Sequence, residues 1–302
     1  MNLNAIQPNL QYDFLRQVSH MTAHNISRRT YLALSTALPW ALRADAASSI
    51  PVGLELYSVR KELQREPQAT VRAVAKMGYQ CVEFYAPYFE WSEDETRQMR
   101  KLLDDLGIRC FSTHNDSSSM SADNIARARD KNLILGCKYV VMASSKPGPG
   151  LDGWKIVADA LNFADEQLEK SDLHAGYHNH EPEFTPLEGQ RPMEILAKNT
   201  KPSVMLQLDV GTCLKAGSDP VAWIRANPGR IHSLHCKDWS PDPAKGYSVL
   251  FGEGSADWKG VFAAAESVGG AEYYLIEQEG SRFSELETAD RCLQTFHSVH
   301  LK

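Results

Sequence analysis

Polar and ionisable residues recur at the ends of short apolar runs along this chain: Glu55, Glu83, His114, His178 and His180, Gln207 and Asp209, His235 and Lys237, and Glu277. In an extended strand alternate side chains share a face, so residues of matching parity at successive strand ends converge inside the mouth of a closed sheet. Bringing that many charged groups to one dry place is costly unless a cation or a bound ligand offsets them. Carboxylates with one or two imidazoles suit one divalent metal ion, Mn²⁺, Mg²⁺, Co²⁺ or Zn²⁺, and leave a position open for a substrate oxygen. Asp209, His235 and Glu277 each close a run and are the best ligands of the set. Taken alone, each is as readily a satisfied core or capping residue; the trio points to a metal. His232 has the opposite parity to His235 and is expected to face helices, while His174, His297 and His300 read as surface residues.

From Ile50 onward, β-type runs alternate with longer stretches of helical period, as in repeated βα units around a parallel sheet. The expected strands are 52–57, 81–85, 109–113, 139–143, 175–179, 204–209, 231–237 and 273–277. Met77-Gly78, Leu106-Gly107 and Leu135-Gly136 put glycine where a helix stops in the left-handed conformation. Eight units in about 250 residues is the extent of one (β/α)8 TIM barrel. The first strand runs into Ser58-Val59-Arg60-Lys61 without a glycine-rich phosphate turn, which disfavours dinucleotide binding.

The chain has 302 residues and a formal net charge of -6, with no dense basic run, so nucleic acid is not an expected partner. No stretch is long and apolar enough for a transmembrane helix in the mature protein, and a homo-oligomer is compatible with the composition. The six cysteines lie scattered, mostly in apolar runs, and read as buried small hydrophobes rather than disulfides or metal ligands. Ser27-Arg28-Arg29-Thr30-Tyr31-Leu32, a modestly apolar stretch, and Ala44-Asp45-Ala46 together resemble a twin-arginine export signal with its cleavage site. Residues 1–48 are therefore expected to be a leader, 49–302 the barrel, and the location periplasmic or secreted; if the segment is no signal, the protein stays in the cytoplasm.

Seven runs occur in order: Val52 to Arg60 (VGLELYSVR), Gly78 to Phe84 (GYQCVEF), Gly176 to Phe184 (GYHNHEPEF), Gln207 to Gly211 (QLDVG), Leu234 to Asp238 (LHCKD), Gly252 to Gly254 (GEG) and Ile276 to Gln278 (IEQ). From about residue 51 to the C-terminus the chain thereby resembles the sugar phosphate isomerase/epimerase family, with its xylose-isomerase-like barrel. The resemblance implies that a Glu, an Asp, a His and a second Glu hold one divalent metal, hence Asp209, His235 and Glu277 with Glu183 as fourth ligand. Glu181 and His178 remain alternatives for the fourth place, because related barrels carry a Glu where His178 stands.

Beside such a metal, a C–H bond next to a carbonyl is acidified, and moving its proton isomerises or epimerises a sugar. His178 or His180 can serve as base or acid, Lys237 can support the charge that develops, and Glu277 can share in proton transfer. Glu55, His114, Asn179 and Trp239 are expected to bind the carbohydrate. A lyase or hydratase of 3-keto-glycosides or inosose-like keto-polyols is the alternative, and a non-catalytic sugar-binding barrel the second alternative.

Overall fold

A computed structural model describes residues 50–300. The expected leader at residues 1–48 lies outside the described residues. Eight parallel strands close on themselves in sequence order: β1 Val52–Glu55, β2 Cys81–Phe84, β3 Arg109–Asp116, β4 Tyr139–Ser144, β5 His174–His178, β6 Met205–Asp209, β7 Ser233–Cys236 and β8 Tyr273–Ile276. The intervening helices are α1 Arg60–Arg65, α2 Pro67–Met77, α3 Glu93–Leu106, α4 Ile125–Leu135, α5 Gly150–Leu168, α6 Glu181–Phe184, α7 Pro192–Asn199, α8 Val210–Lys215, α9 Pro220–Ala226, α10 Trp258–Ala264 and α11 Glu285–His300.

Local chemistry sets several of these boundaries. Ser92 caps α3, accepting from Glu95 N at 3.2 Å while the Glu95 carboxylate accepts from Ser92 N at 2.7 Å. Gly78, Gly107 and Gly136 end α2, α3 and α4 at φ of 106°, 66° and 79°, as the sequence predicts.

The core has two parts. One layer packs between strands and helices and includes Leu54, Val82, Phe84, Leu206 and Ile276. Inside the barrel, Cys81, Tyr139, Val141, Met205, Tyr273 and Leu275 form a separate floor. Gly53 admits this packing, because a Cβ there would stand 2.4 Å from Cys81 Sγ. The floor fills the lower barrel and leaves the upper end to polar side chains.

β3 carries an extra residue relative to β2: Val82 pairs with Cys110, but Phe84 pairs with Thr113. This bulge breaks the two-residue alternation, so Cys110 lies in the helix layer while Ser112 reaches inward to Glu83. β3 also runs on through His114 instead of ending before it.

His232 does not face the helices. Just before β7 it stacks on Tyr139 of the floor, with ring centroids 5.5 Å apart, and its Nδ1 lies 3.2 Å from Gly270 O. His300 is not a free surface residue either; it packs against Phe262 and Tyr274 and meets Glu266 at 2.7 Å.

Candidate active site at the barrel mouth

Strand register places the polar residues in pairs. Glu55 is level with Glu83, His178 with Gln207, and Asp209 with His235. Glu83 forms the base of the cluster. Fully buried, it accepts from Ser112 Oγ, from Gln207 Nε2 at 3.0 Å and from His235 Nε2 at 2.8 Å, and His114 Nε2 lies 3.0 Å away. Burial alone would raise its carboxyl, but the His114 and His235 contacts and Ser112 outweigh burial and hold it below the ordinary value.

These contacts fix the state of His178. An ionised Glu83 can only accept, so Gln207 turns its amide nitrogen to Glu83 and its carbonyl oxygen outward. That oxygen lies 3.1 Å from His178 Nδ1 and 2.7 Å from His114 Nε2, so both nitrogens donate to it. His178 therefore keeps a lone pair on Nε2, the arrangement seen when a second partner orients a metal-binding imidazole. Burial, reinforced by the neighbouring His235, His114, His180 and Lys237, pushes His178 well below its ordinary value, so it stays neutral.

His178, Asp209 and Glu277 each offer a ligand atom within 4.8 Å of the others, and all three are buried. Asp209 spends Oδ1 on Thr212 N at 2.8 Å, capping α8, and its Oδ2 is buried without a hydrogen-bond partner among the described residues. The cation nearest that oxygen is Lys237 Nζ, 3.7 Å away. A fully buried carboxylate oxygen left in this state is the clearest fit of the residues to a metal ion. His114, His178 and His235 form a second grouping of three imidazoles. There, however, His235 has both ring nitrogens engaged, Nδ1 with Glu277 at 2.7 Å and Nε2 with Glu83 at 2.8 Å, and His114 has Nε2 engaged. Burial would lower His235, yet its two carboxylate partners raise it to about 10.

Lys237 is buried beside Glu277 at 3.2 Å and also meets Glu279. Burial opposes its charge, but Glu277, Asp209 and Glu279 more than compensate and raise its pKa. Glu277 is held well below its ordinary value, since Lys237 and His235 overcome burial. Glu55, whose Oε2 accepts from Tyr57 N at 2.8 Å, has no partner for Oε1 among the described residues; burial and then the Glu277 charge raise it well above the ordinary value.

Other expected site residues are placed differently. Glu183 does not join the cluster. Its Oε1 accepts from Tyr177 Oη at 2.7 Å and its Oε2 from His180 N at 2.9 Å, closing the first turn of α6. Glu181 pairs with Lys215 at 2.8 Å on the rim. Of the alternatives for the fourth ligand, His178 is the one the fold brings to Asp209 and Glu277.

Asn179 is buried and braces Asp209 rather than opening to a substrate: its Oδ1 accepts from Asp209 N at 3.0 Å and its Nδ2 donates to Thr212 Oγ1 at 2.9 Å. Trp239 is half-buried, and its carbonyl holds the following loop through Ser255 N at 2.9 Å. His180 is exposed at the rim, its ring 5.0 Å from that of His178.

Two neighbours of the site have places that no sequence pattern specifies, although Asp238 closes the LHCKD run. Asp238 accepts from Gly252 N at 3.0 Å, Gly254 N at 3.1 Å and Trp258 Nε1 at 2.9 Å, stapling the loop after β7. A side chain at Gly254 would collide with that carboxylate, its Cβ 2.0 Å from Asp238 Oδ1. Tyr247, on the same loop, brings its ring to 4.9 Å from Lys237 Nζ.

A closed eight-stranded parallel barrel with its ionisable groups gathered beyond the strand ends defines a (β/α)8 protein with a metal-competent mouth. The chain belongs to the xylose isomerase-like TIM barrel family, which matches residues 71–295. Among solved structures, a sugar phosphate isomerase/epimerase from Parabacteroides distasonis is 26% identical with a TM-score of 0.71, covering 85% of this chain and 98% of that one. The structure of an IOLI protein with a bound zinc atom shares the fold at 16% identity and a TM-score of 0.64, covering 83% of this chain and 98% of that one. Inosose dehydratase of Geobacillus thermodenitrificans is 24% identical over 186 residues, 56% of this chain; the match spans 62% of the length of that curated relative.

Proposed function

We propose that this barrel binds a carbohydrate at its mouth and moves a proton on a carbon beside a carbonyl, as a sugar isomerase or epimerase does, with one divalent ion held by His178, Asp209 and Glu277. The observation that carries the reading is the convergence of those three ligand atoms within 4.8 Å, with Asp209 Oδ2 buried and unpartnered. When bound, the ion would draw electron density from a carbonyl and so acidify the neighbouring C–H.

The chain's own residues take the remaining roles. Lys237, an ammonium buried beside Asp209 and Glu277, offers positive charge to an oxygen on which negative charge grows. His180, beyond the end of β5, is the base at the rim. Glu55, at the end of β1, keeps its proton and is the acid. β1 and β5 lie across the eight-stranded barrel from each other, so a proton leaves one face of a substrate spanning the mouth and another returns to the opposite face. That is what epimerisation requires. His114 is left to bind a hydroxyl.

The likeness to inosose dehydratase favours a second reading. The same proton abstraction followed by loss of a β-hydroxyl would make the protein a dehydratase of a keto-polyol. Product analysis by NMR after incubating the metal-loaded protein with ketoses, 3-keto-glycosides and inososes tests both. An interconverted sugar supports the first reading and a dehydrated product the second; no turnover anywhere in the panel by protein with metal bound would contradict both.

A further inference from the structure

Glu55 Oε1, Asp209 Oδ2 and Tyr247 Oη are all buried without a hydrogen-bond partner among the described residues, and all belong to the barrel mouth. The two carboxylates sit on strand ends. Tyr247 arrives from the loop between β7 and α10, and three contacts define its place. Its carbonyl accepts from Gln278 Nε2 at 2.6 Å, which ties it to the residue following Glu277. Its ring lies 4.9 Å from the buried Lys237 Nζ and 5.1 Å from Lys215 Nζ, whose ammonium pairs with Glu181 at the exposed rim. Tyr247 thus forms part of the wall between solvent and the interior of the mouth.

A buried phenol normally finds a partner, because leaving one unmade costs the desolvation of the hydroxyl. The loop does not hold Tyr247 there for want of alternatives: the Asp238 staple and the Gln278 bond both act through the backbone and leave the ring free to face inward. Burial raises the phenol above its ordinary value, and of the charges of the mouth Asp209, Glu181 and Glu279 raise it further while Lys237 opposes them.

We propose that Tyr247 is a substrate-contacting residue whose hydroxyl hydrogen-bonds an oxygen of the bound carbohydrate on the Asp209 and Lys237 side of the mouth, so that it sets affinity and specificity rather than metal binding. The inference rests on the carbohydrate reading of the site. It adds a contact supplied by a loop, the part of a barrel in which specificity resides.

The test compares the full chain with Tyr247→Phe and Gln278→Met. Three quantities are measured: Mn²⁺ affinity by calorimetry without sugar, D-fructose binding by saturation-transfer NMR, and KM and kcat for whichever panel sugar turns over. Tyr247→Phe keeps the ring and its contacts with the lysines, so the fold and Mn²⁺ affinity are expected to stay as in the unaltered chain. Sugar affinity is expected to fall about five- to 150-fold, the range for leaving a buried polar partner unmatched. Gln278→Met, which frees the loop, is expected to weaken sugar binding in the same direction. Unchanged sugar affinity in Tyr247→Phe would overturn the assignment while leaving the proposed function intact, as would a parallel fall in Mn²⁺ affinity. If the unaltered chain neither binds D-fructose nor turns over any sugar of the panel, the carbohydrate reading fails and this inference with it.

Discussion

The Nε2 of His235 lies 2.8 Å from a carboxylate oxygen of Glu83, and through this contact β7 and β2, which are not neighbours in the sheet, are tied across the barrel interior. Glu83 is also the acceptor that orients Gln207, and Gln207 in turn orients His178. The proposed ligand set is therefore held by a chain of contacts that begins at a residue with no direct part in it.

Removing that anchor should be costly to stability. Glu83→Gln takes away one of the two carboxylates that hold His235 and leaves Glu277 as its remaining charged partner, a change expected to destabilise the protein by about 1–3 kcal/mol. Urea unfolding of the metal-free protein measures it; a loss within experimental scatter of zero would show that the network carries no stability.

The same cluster predicts a pH window for the metal-free protein. Glu83 and Glu277 are held below their ordinary values, so their contribution is present above the unfolded carboxylate range and is lost as pH falls through their folded values. His235 is raised to about 10, so its contribution is complete below the ordinary histidine range and is lost as pH rises through about 10. Thermal unfolding in the presence of a chelator should therefore give its highest Tm between the ordinary carboxylate and the ordinary histidine ranges, at about pH 5–6.5, and fall on both sides. A Tm that climbs steadily from pH 7 to pH 10 would contradict the assignment of a charged His235.

Gln207 should matter to metal affinity although it touches no metal. Gln207→Met removes the acceptor that keeps the proton on His178 Nδ1, and loss of such a partner typically weakens metal binding about 10–100-fold. Competition against a fluorescent chelator gives the constant. Equal affinity in the variant would mean that His178 is not a ligand.

Export is a separate proposal, resting on Arg28 and Arg29. In a bacterial host with twin-arginine transport, the unaltered chain should reach the periplasm shortened by cleavage after Ala46, and Arg28→Lys with Arg29→Lys should remain inside at full length. The same location and length for both chains would dismiss the signal.

The barrel was legible because its signals are local. Each expected strand overlaps an observed one, and glycines at 78, 107 and 136 end helices where their spacing places them. The bulge in β3 was not legible, since an extra residue is defined only by its neighbour's register, and neither was the pairing of His114 with Val141 of β4, which keeps His114 inside the strand rather than after it. Asp209 and Glu277 were readable as strand-end carboxylates. Glu183 stands apart from Asp209 and Glu277 because its position depends on how the loop turns: the chain enters α6 at Glu181, and the carboxylate folds back onto its own backbone. Asp238 and Tyr247 act through a loop whose path no periodicity describes.

The most direct test of the central claim is deuterium exchange. The metal-loaded protein, in D₂O with ketoses and 3-keto-sugars, should place deuterium on a carbon beside the carbonyl of at least one of them. Asp209→Asn and His178→Ala should abolish both that exchange and the binding of Mn²⁺, while Glu183→Gln should retain Mn²⁺. Exchange that persists undiminished in Asp209→Asn, or an absence of exchange throughout the panel with metal bound, would contradict the account.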